Sequence, residues 1–247
     1  MKELTIDEIK KVQLDILIYI DKVCKDNNIE YSLAYGTLLG AVRHKGFIPW
    51  DDDIDILLKR SEYNKLIKTL SKEQSDKYRV FTAKDEGYYY LYAKVADLST
   101  VIKEKNWPDI KDLGVYIDIF PIDYLPNENG EDYYNKAKYY MYCLYNCLTD
   151  IAFVHNKRYM RVIKKILRNR KVKKCRQQSE WYWKSKFEEM TQINNSSHMA
   201  NIVDGGGYRP WESSIMDSYS KLEFENHMFN VVSDYDIMLE SRFGDFM

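Results

Sequence analysis

Trp50-Asp51-Asp52-Asp53-Ile54-Asp55-Ile56-Leu57-Leu58 is the stretch on which the reading of this 247-residue chain turns. Side chains alternate along a strand, so an extended backbone puts Asp51, Asp53 and Asp55 on one face, about 7 Å apart in succession, and turns Ile54 and Ile56 toward a core. Three carboxylates in a row repel one another. A divalent cation relieves that repulsion, and the row reads as a metal site for Mg2+ or Mn2+ built on Asp51, Asp53 and Asp55. Three other readings compete. A solvated acidic face fits poorly with the aliphatic run that follows, and a calcium loop counted from Asp51 puts Ile56 where the sharp turn needs glycine. A buried ion-pair network with Arg43 or Lys45 stays open.

Upstream, Tyr31 to Tyr35 is a short β-prone run ended by Gly36, and Thr37 to Arg43 is compatible with a helix capped by Thr37. Strand, glycine turn and helix N-terminus together make an anion site: Gly36 lets a phosphate approach the backbone, and amides after Thr37 face it. Arg43, His44 and Lys45 stand between this turn and the acids, so cations can hold the same phosphate. Downstream, Asp118 interrupts the apolar run Val115 to Phe120. A buried, unpaired charge there costs several kcal/mol, so Asp118 must be neutralised, paired or bound to a cation. If its strand adjoins that of Asp53, Asp118 completes an oxygen-ligand set. The alternative is a salt bridge to Lys94, which lies beside Tyr88, Tyr89, Tyr90 and Tyr92 and can also reach a phosphate. Asp123, after Pro121, reads as loop.

The remaining elements follow from period and punctuation. Thr5-Ile6-Asp7-Glu8 is a capping box ahead of a helix whose apolar positions run from Ile6 to Val23. Ser61 caps a helix to about Leu70, and strands are expected at Tyr78 to Thr82, Tyr88 to Asp97, and Gly114 to Phe120, the last closed by Pro121. From Glu131 to Ile193 the pattern is helical; a mixed segment with Gly205-Gly206-Gly207 leads to a last helix near Tyr235 to Phe246. The expected fold class is α/β: a mixed sheet with flanking helices over residues 1–126, and a largely helical region, 127–247, packed on it as one compact unit.

A composition of 45% hydrophobic and 30% charged residues excludes a disordered chain. With 37 basic against 38 acidic side chains, no overall field argues for nucleic acid. Eleven Lys or Arg and no Asp or Glu fall between Lys157 and Arg176, however, on an otherwise acidic body. Interleaved Tyr159, Met160, Val162, Ile163, Ile166 and Leu167 suit a helix docked on an anionic membrane surface, and a solvated helix face is the alternative. The start of the chain carries no apolar leader, and Tyr139 to Thr149 falls well short of the ~20 residues a span needs. A cytoplasmic location is expected, with at most peripheral contact at the inner face of the plasma membrane. Cys24, Cys143, Cys147 and Cys175 read as reduced thiols, Cys143 and Cys147 as core residues rather than as zinc ligands with His155.

Tyr35-Gly36-Thr37-Leu38-Leu39-Gly40-Ala41-Val42-Arg43, Pro49-Trp50-Asp51-Asp52-Asp53-Ile54-Asp55, Ile117-Asp118-Ile119-Phe120-Pro121 and Phe243-Gly244-Asp245-Phe246-Met247 resemble the LicD family. That family includes the catalytic region of fukutin-related protein and belongs to the nucleotidyltransferase-fold superfamily. The resemblance implies a transferase that moves a phosphorylated alcohol, phosphocholine being the best-known case. The donor would be a CDP-activated small molecule, and the acceptor a hydroxyl of a cell-surface glycan or of its lipid-linked precursor. It further implies Mg2+ held by Asp53, Asp55 and Asp118, with Asp51 as an additional ligand, and a donor diphosphate at Gly36 and Thr37. Metal-assisted phosphoryl transfer follows, with Asp118 or Asp55 taking the acceptor proton. Phe243 and Phe246 depart from the family pattern, which has Tyr at both places. Two other classes stay open: a nucleotidyltransferase acting on a small hydroxylated acceptor, and a non-catalytic nucleotide-binding subunit.

Overall fold

The computed structural model describes residues 3–73, 75–103, 109–148 and 172–247. Most of the basic stretch, 157–171, and His155 lie outside them; residues 172–175 are helical. The chain opens with α1 (Ile6–Asp26), which carries the expected capping box: Thr5 accepts from the Glu8 amide and Glu8 reaches back to the Thr5 amide. β1 (Ser32–Leu33) and α2 (Tyr35–His44) come next. β2 (Asp55–Lys59), α3 (Arg60–Lys72), β3 (Tyr78–Phe81), β4 (Ala93–Asp97) and β5 (Tyr116–Tyr124) follow. The second half holds α4 (Gly130–Leu148), α5 (Glu180–Met190), β6 (His198–Ala200), β7 (Trp211–Glu212), a 3-10 turn (Ser213–Met216), the hairpin β8 (Tyr219–Phe224) and β9 (His227–Val232), and α6 (Tyr235–Phe243).

The main sheet runs β1-β2-β5-β4-β3, and β6 extends it from the far end of β5, with β7 beyond. β2 and β5 are parallel; the other pairings are antiparallel. Alternation along the two central strands divides the core. Ile54, Ile56, Leu58, Ile117 and Ile119 face a layer containing α1 and α3, while Leu57, Phe120 and Ile122 face α4, α5 and the segment around β6. The β8–β9 hairpin, left undivided as a mixed segment in the sequence reading, packs Phe224, Phe229 and Val231 into the first layer.

Several boundaries differ from expectation, each for a visible reason. β2 starts only at Asp55, so Asp51 and Asp53 lie in irregular backbone ahead of the strand rather than on it. Helix α2 starts at Tyr35 with Ala34 as N-cap, because the Thr37 hydroxyl accepts the Asp55 N–H at 2.8 Å and is not free to cap. Helix α3 starts at Arg60, straight from the end of β2, and Ser61 is not its cap. Of the expected strand Tyr88 to Asp97 only Ala93 onward pairs; Tyr88 is buried and its hydroxyl donates to the Tyr92 carbonyl at 2.9 Å. β5 runs through Pro121, and Asp123 is strand, not loop. The Asp118 N–H donates to the Ile54 carbonyl, just ahead of β2, so alternation points position 121 at the opposite edge. There the β4 pairing stops at Ile119 and the β6 pairing starts at Asp123, so proline forfeits no ladder bond.

Candidate active site

Asp55 and Asp118 stand opposite each other in the parallel β2–β5 register, at the end of the sheet where both strands begin. The backbone around Asp55 is pinned to the first turn of α2, since its N–H meets Thr37 and its carbonyl accepts the Ala34 N–H at 3.0 Å. Asp55 is buried, and burial, then the charges of Asp53 and Asp118, push its carboxyl well above the usual carboxylate range, with Lys94 pulling the other way. Asp53 is pushed up to about 7 by desolvation, by the charge and hydrogen bond of Asp51, and by Asp118. Its side chain opens to solvent, so water screens part of that repulsion. Asp51 packs its carboxylate against Gly36: a Cβ there would lie 2.2 Å from Asp51 Oδ2, so this close approach requires glycine.

Lys94 is 1% exposed. Its ammonium sits 2.5 Å from Asp118 Oδ1 and over the rings of Tyr116, Tyr90 and Tyr92, at 3.6, 4.4 and 5.2 Å. It reaches the site through Asp118 and does not line the cleft. Lys45 is the left-handed C-cap of α2 and pairs with Glu223 on β8 at 3.0 Å, on the outside. Thr37 is buried and its hydroxyl is engaged with Asp55. The structure thus gathers Asp51, Asp53 and Asp55 with Gly36, Arg43 and His44 around an open cleft of about 350 Å³, with Trp50 at its rim.

The opposite wall comes from Phe243, which the sequence marks only as part of the terminal motif, and from Arg242, which it does not single out. Arg242 and Phe243, at the end of α6, line the same cleft. The Arg242 guanidinium stacks 4.1 Å over the Tyr35 ring and pairs with Asp204, while the Tyr35 hydroxyl accepts from Asn201 at 2.5 Å. Tyr35 itself adopts φ 48°, a left-handed conformation that costs a bulky residue about 1–2 kcal/mol. Such strain is held by its surroundings and is concentrated at working sites. The available signals were slight: Tyr35 heads the Gly-Thr turn, and Arg242 immediately precedes Phe243-Gly244. Behind Tyr35 a tighter pocket continues between Leu38, Leu57, Trp211 and Met238. At the far end of β5, Arg60 holds buried Asp123 through two bonds of 2.6 and 2.8 Å.

Among the described residues, no three His, Cys, Asp or Glu side chains form a ready-made metal cage. The chemistry of the acids nonetheless fits a hard divalent cation, because Asp51, Asp53, Asp55 and Asp118 are oxygen donors, and burial and their neighbours' charges raise Asp53 and Asp55 more than Lys94 offsets. All four cysteines are free thiols; of the pair expected in the core, Cys143 is buried and Cys147 is half-buried at its margin. No helix among the described residues is long and apolar enough to cross a membrane.

Comparison with known proteins identifies the family of the chain. The model of the LicD/FKTN/FKRP nucleotidyltransferase domain matches residues 28–155. A lipopolysaccharide cholinephosphotransferase LicD of Haemophilus influenzae is 31% identical over 261 residues, covering 100% of this chain and 93% of that protein. An uncharacterised protein of Rickettsia prowazekii is 40% identical over 80 residues, 32% of this chain and 29% of its own length, and one of Rickettsia typhi is 34% identical over 98 residues, 40% and 30% respectively. With a domain match over half the chain and a full-length relative, the chain belongs to the LicD/FKTN/FKRP nucleotidyltransferase-domain family.

Proposed function

We propose that this chain transfers phosphocholine from a CDP-activated donor to a glycan hydroxyl, with Mg2+ or Mn2+ held by Asp53, Asp55 and Asp118 and with Asp51 at the rim. The observation that carries the reading is the in-register pair Asp55 and Asp118, set beside Asp53 on a cleft whose other walls bring Arg43 and Arg242. The similarity of the whole chain to a protein named as a lipopolysaccharide cholinephosphotransferase supports it. When bound, the cation supplies positive charge that stabilises the donor diphosphate and the departing CMP. Arg43 and Arg242 grip phosphate oxygens from two sides, and Trp50 and Phe243 offer ring faces to a quaternary ammonium. The acceptor oxygen attacks the choline-bearing phosphorus, the bond to the CMP oxygen breaks, and the acceptor proton passes to a carboxylate of the site, Asp118 or Asp55. Lys94 pairs with Asp118 beside Asp55.

The test is 31P NMR of the chain with CDP-choline, Mg2+ and simple glycosides. Formation of CMP and a choline phosphodiester, lost on chelation and in Asp53→Asn, is the expected result. Transfer of the CMP moiety to the glycoside would replace this reading with nucleotidyl transfer, and undiminished turnover by Asp53→Asn would remove the acids from the mechanism.

A further inference from the structure

We propose that Gln13, on α1, is a positioning residue that sets the spacing between the Asp51–Asp53 segment and β5; the inference rests on the reading of these acids as a metal site. Residues 51–54 belong to no strand, yet they must hold Asp53 against Asp55 and Asp118. Two side chains of α1 hold this segment and the residues just ahead of it. Lys10 Nζ lies 3.5 and 3.4 Å from the carbonyls of Ile48 and Pro49. Further in, Gln13 Nε2 donates to the Asp52 carbonyl at 2.9 Å and to the Tyr116 carbonyl at 3.2 Å. One amide group therefore ties the peptide just before Asp53 to the first residue of β5, two positions before Asp118.

The chemistry of the clamp is specific. Two carbonyls from separate segments need one group with two hydrogens to give. Asn is a methylene shorter, and Lys or Arg would add a charge. Gln13 is 5% exposed, and its Oε1 has no partner among the described residues. A buried acceptor left unsatisfied is a cost to folding that Leu or Met at this place would avoid. The position therefore carries an amide for the sake of its donors, at the expense of its own carbonyl. Partners that orient metal ligands in this way typically govern 10–100-fold in metal affinity. α1 ends at Asp26, ahead of the matched domain that starts at residue 28, so the clamp is contributed by a segment outside it.

The experiment compares Gln13→Met, similar in shape but without donors, with Leu17→Ala, a core change one turn further along α1 that touches neither carbonyl. Mn2+ binding is read by calorimetry without substrate, and amide hydrogen exchange is read across 48–56 and, as reference, across 60–72. Gln13→Met is expected to weaken Mn2+ binding at least tenfold and to speed exchange at 50–53, with 60–72 unchanged. Leu17→Ala is expected to lower thermal stability without either local effect. Equal effects of the two variants on Mn2+ affinity, or unaltered exchange at 50–53 in Gln13→Met, overturn the proposal. If the unmodified chain takes up no Mn2+, the metal reading of the acids fails, and the exchange arm alone decides whether Gln13 holds the segment.

Discussion

Lys94→Met tests how the site is electrically balanced. Lys94 is 1% exposed and its partner Asp118 only 14%, so the pair is buried, with the ammonium also over three tyrosine rings. Removing one member of a buried pair leaves the other as an uncompensated charge, typically a loss of about 3–5 kcal/mol. Met preserves most of the length and apolar contact of the stem, so the loss is mainly electrostatic. In a chain of this size each kcal/mol is worth roughly 2–4 °C in melting temperature, which gives a fall of about 6–20 °C. The assay is differential scanning calorimetry at pH 7.5 without divalent ions, on Lys94→Met, Asp118→Asn and the double variant. The double variant should lose less than the two single losses combined, by about 0.5–3 kcal/mol, because Asn at 118 leaves no charge to strand. A fall of under about 2 °C in Lys94→Met, or strict additivity, would show that the pair is not what balances Asp118.

Three further outcomes are expected. Asp123→Ala, which leaves Arg60 buried without its partner, should cost about 3–5 kcal/mol by urea denaturation and yet leave Mn2+ affinity unaltered, since it lies at the other end of β5. Gly36→Ala should move the Asp51 carboxylate aside and reduce CMP release at least tenfold, while the melting temperature hardly shifts, because the clash is with a side-chain tip that can rotate. Asp53 is raised from 3.8 to about 7, so the folded state holds its proton longer than the unfolded state. Its contribution to stability is complete below about pH 4 and is lost as pH climbs through about 7. Mn2+ should therefore raise the melting temperature more at pH 8 than at pH 6, and an equal rise at both would refute the assignment.

What the sequence made legible was local. The Thr5–Glu8 box, the apolar period of α1 and the run of acids all follow from short-range rules. The adjacency of Asp55 and Asp118 was a conditional inference from the cost of a lone carboxylate in an apolar strand, and the pairing register meets its condition. The strand assigned to Asp51 and Asp53 was too long, because β-propensity cannot say where a neighbouring strand stops offering hydrogen bonds. Pro121 reads as a terminator in sequence, whereas proline ends pairing only on an edge that has a partner. Arg242 and Asn201 reach Tyr35 across 207 and 166 positions of chain, a closeness that no window-based pattern encodes.

The parity of β5 has a consequence for how this chain can change. Asp118 and Asp123 are five positions apart, so the pleat sends them to opposite sides of the sheet, one toward the cleft and the other toward Arg60. Deleting or duplicating a single residue between them would turn one of the two charges into the wrong layer, along with every aliphatic side chain beyond the lesion. Length variation in this strand is therefore confined to steps of two, and insertions have to be taken up in the connections on either side.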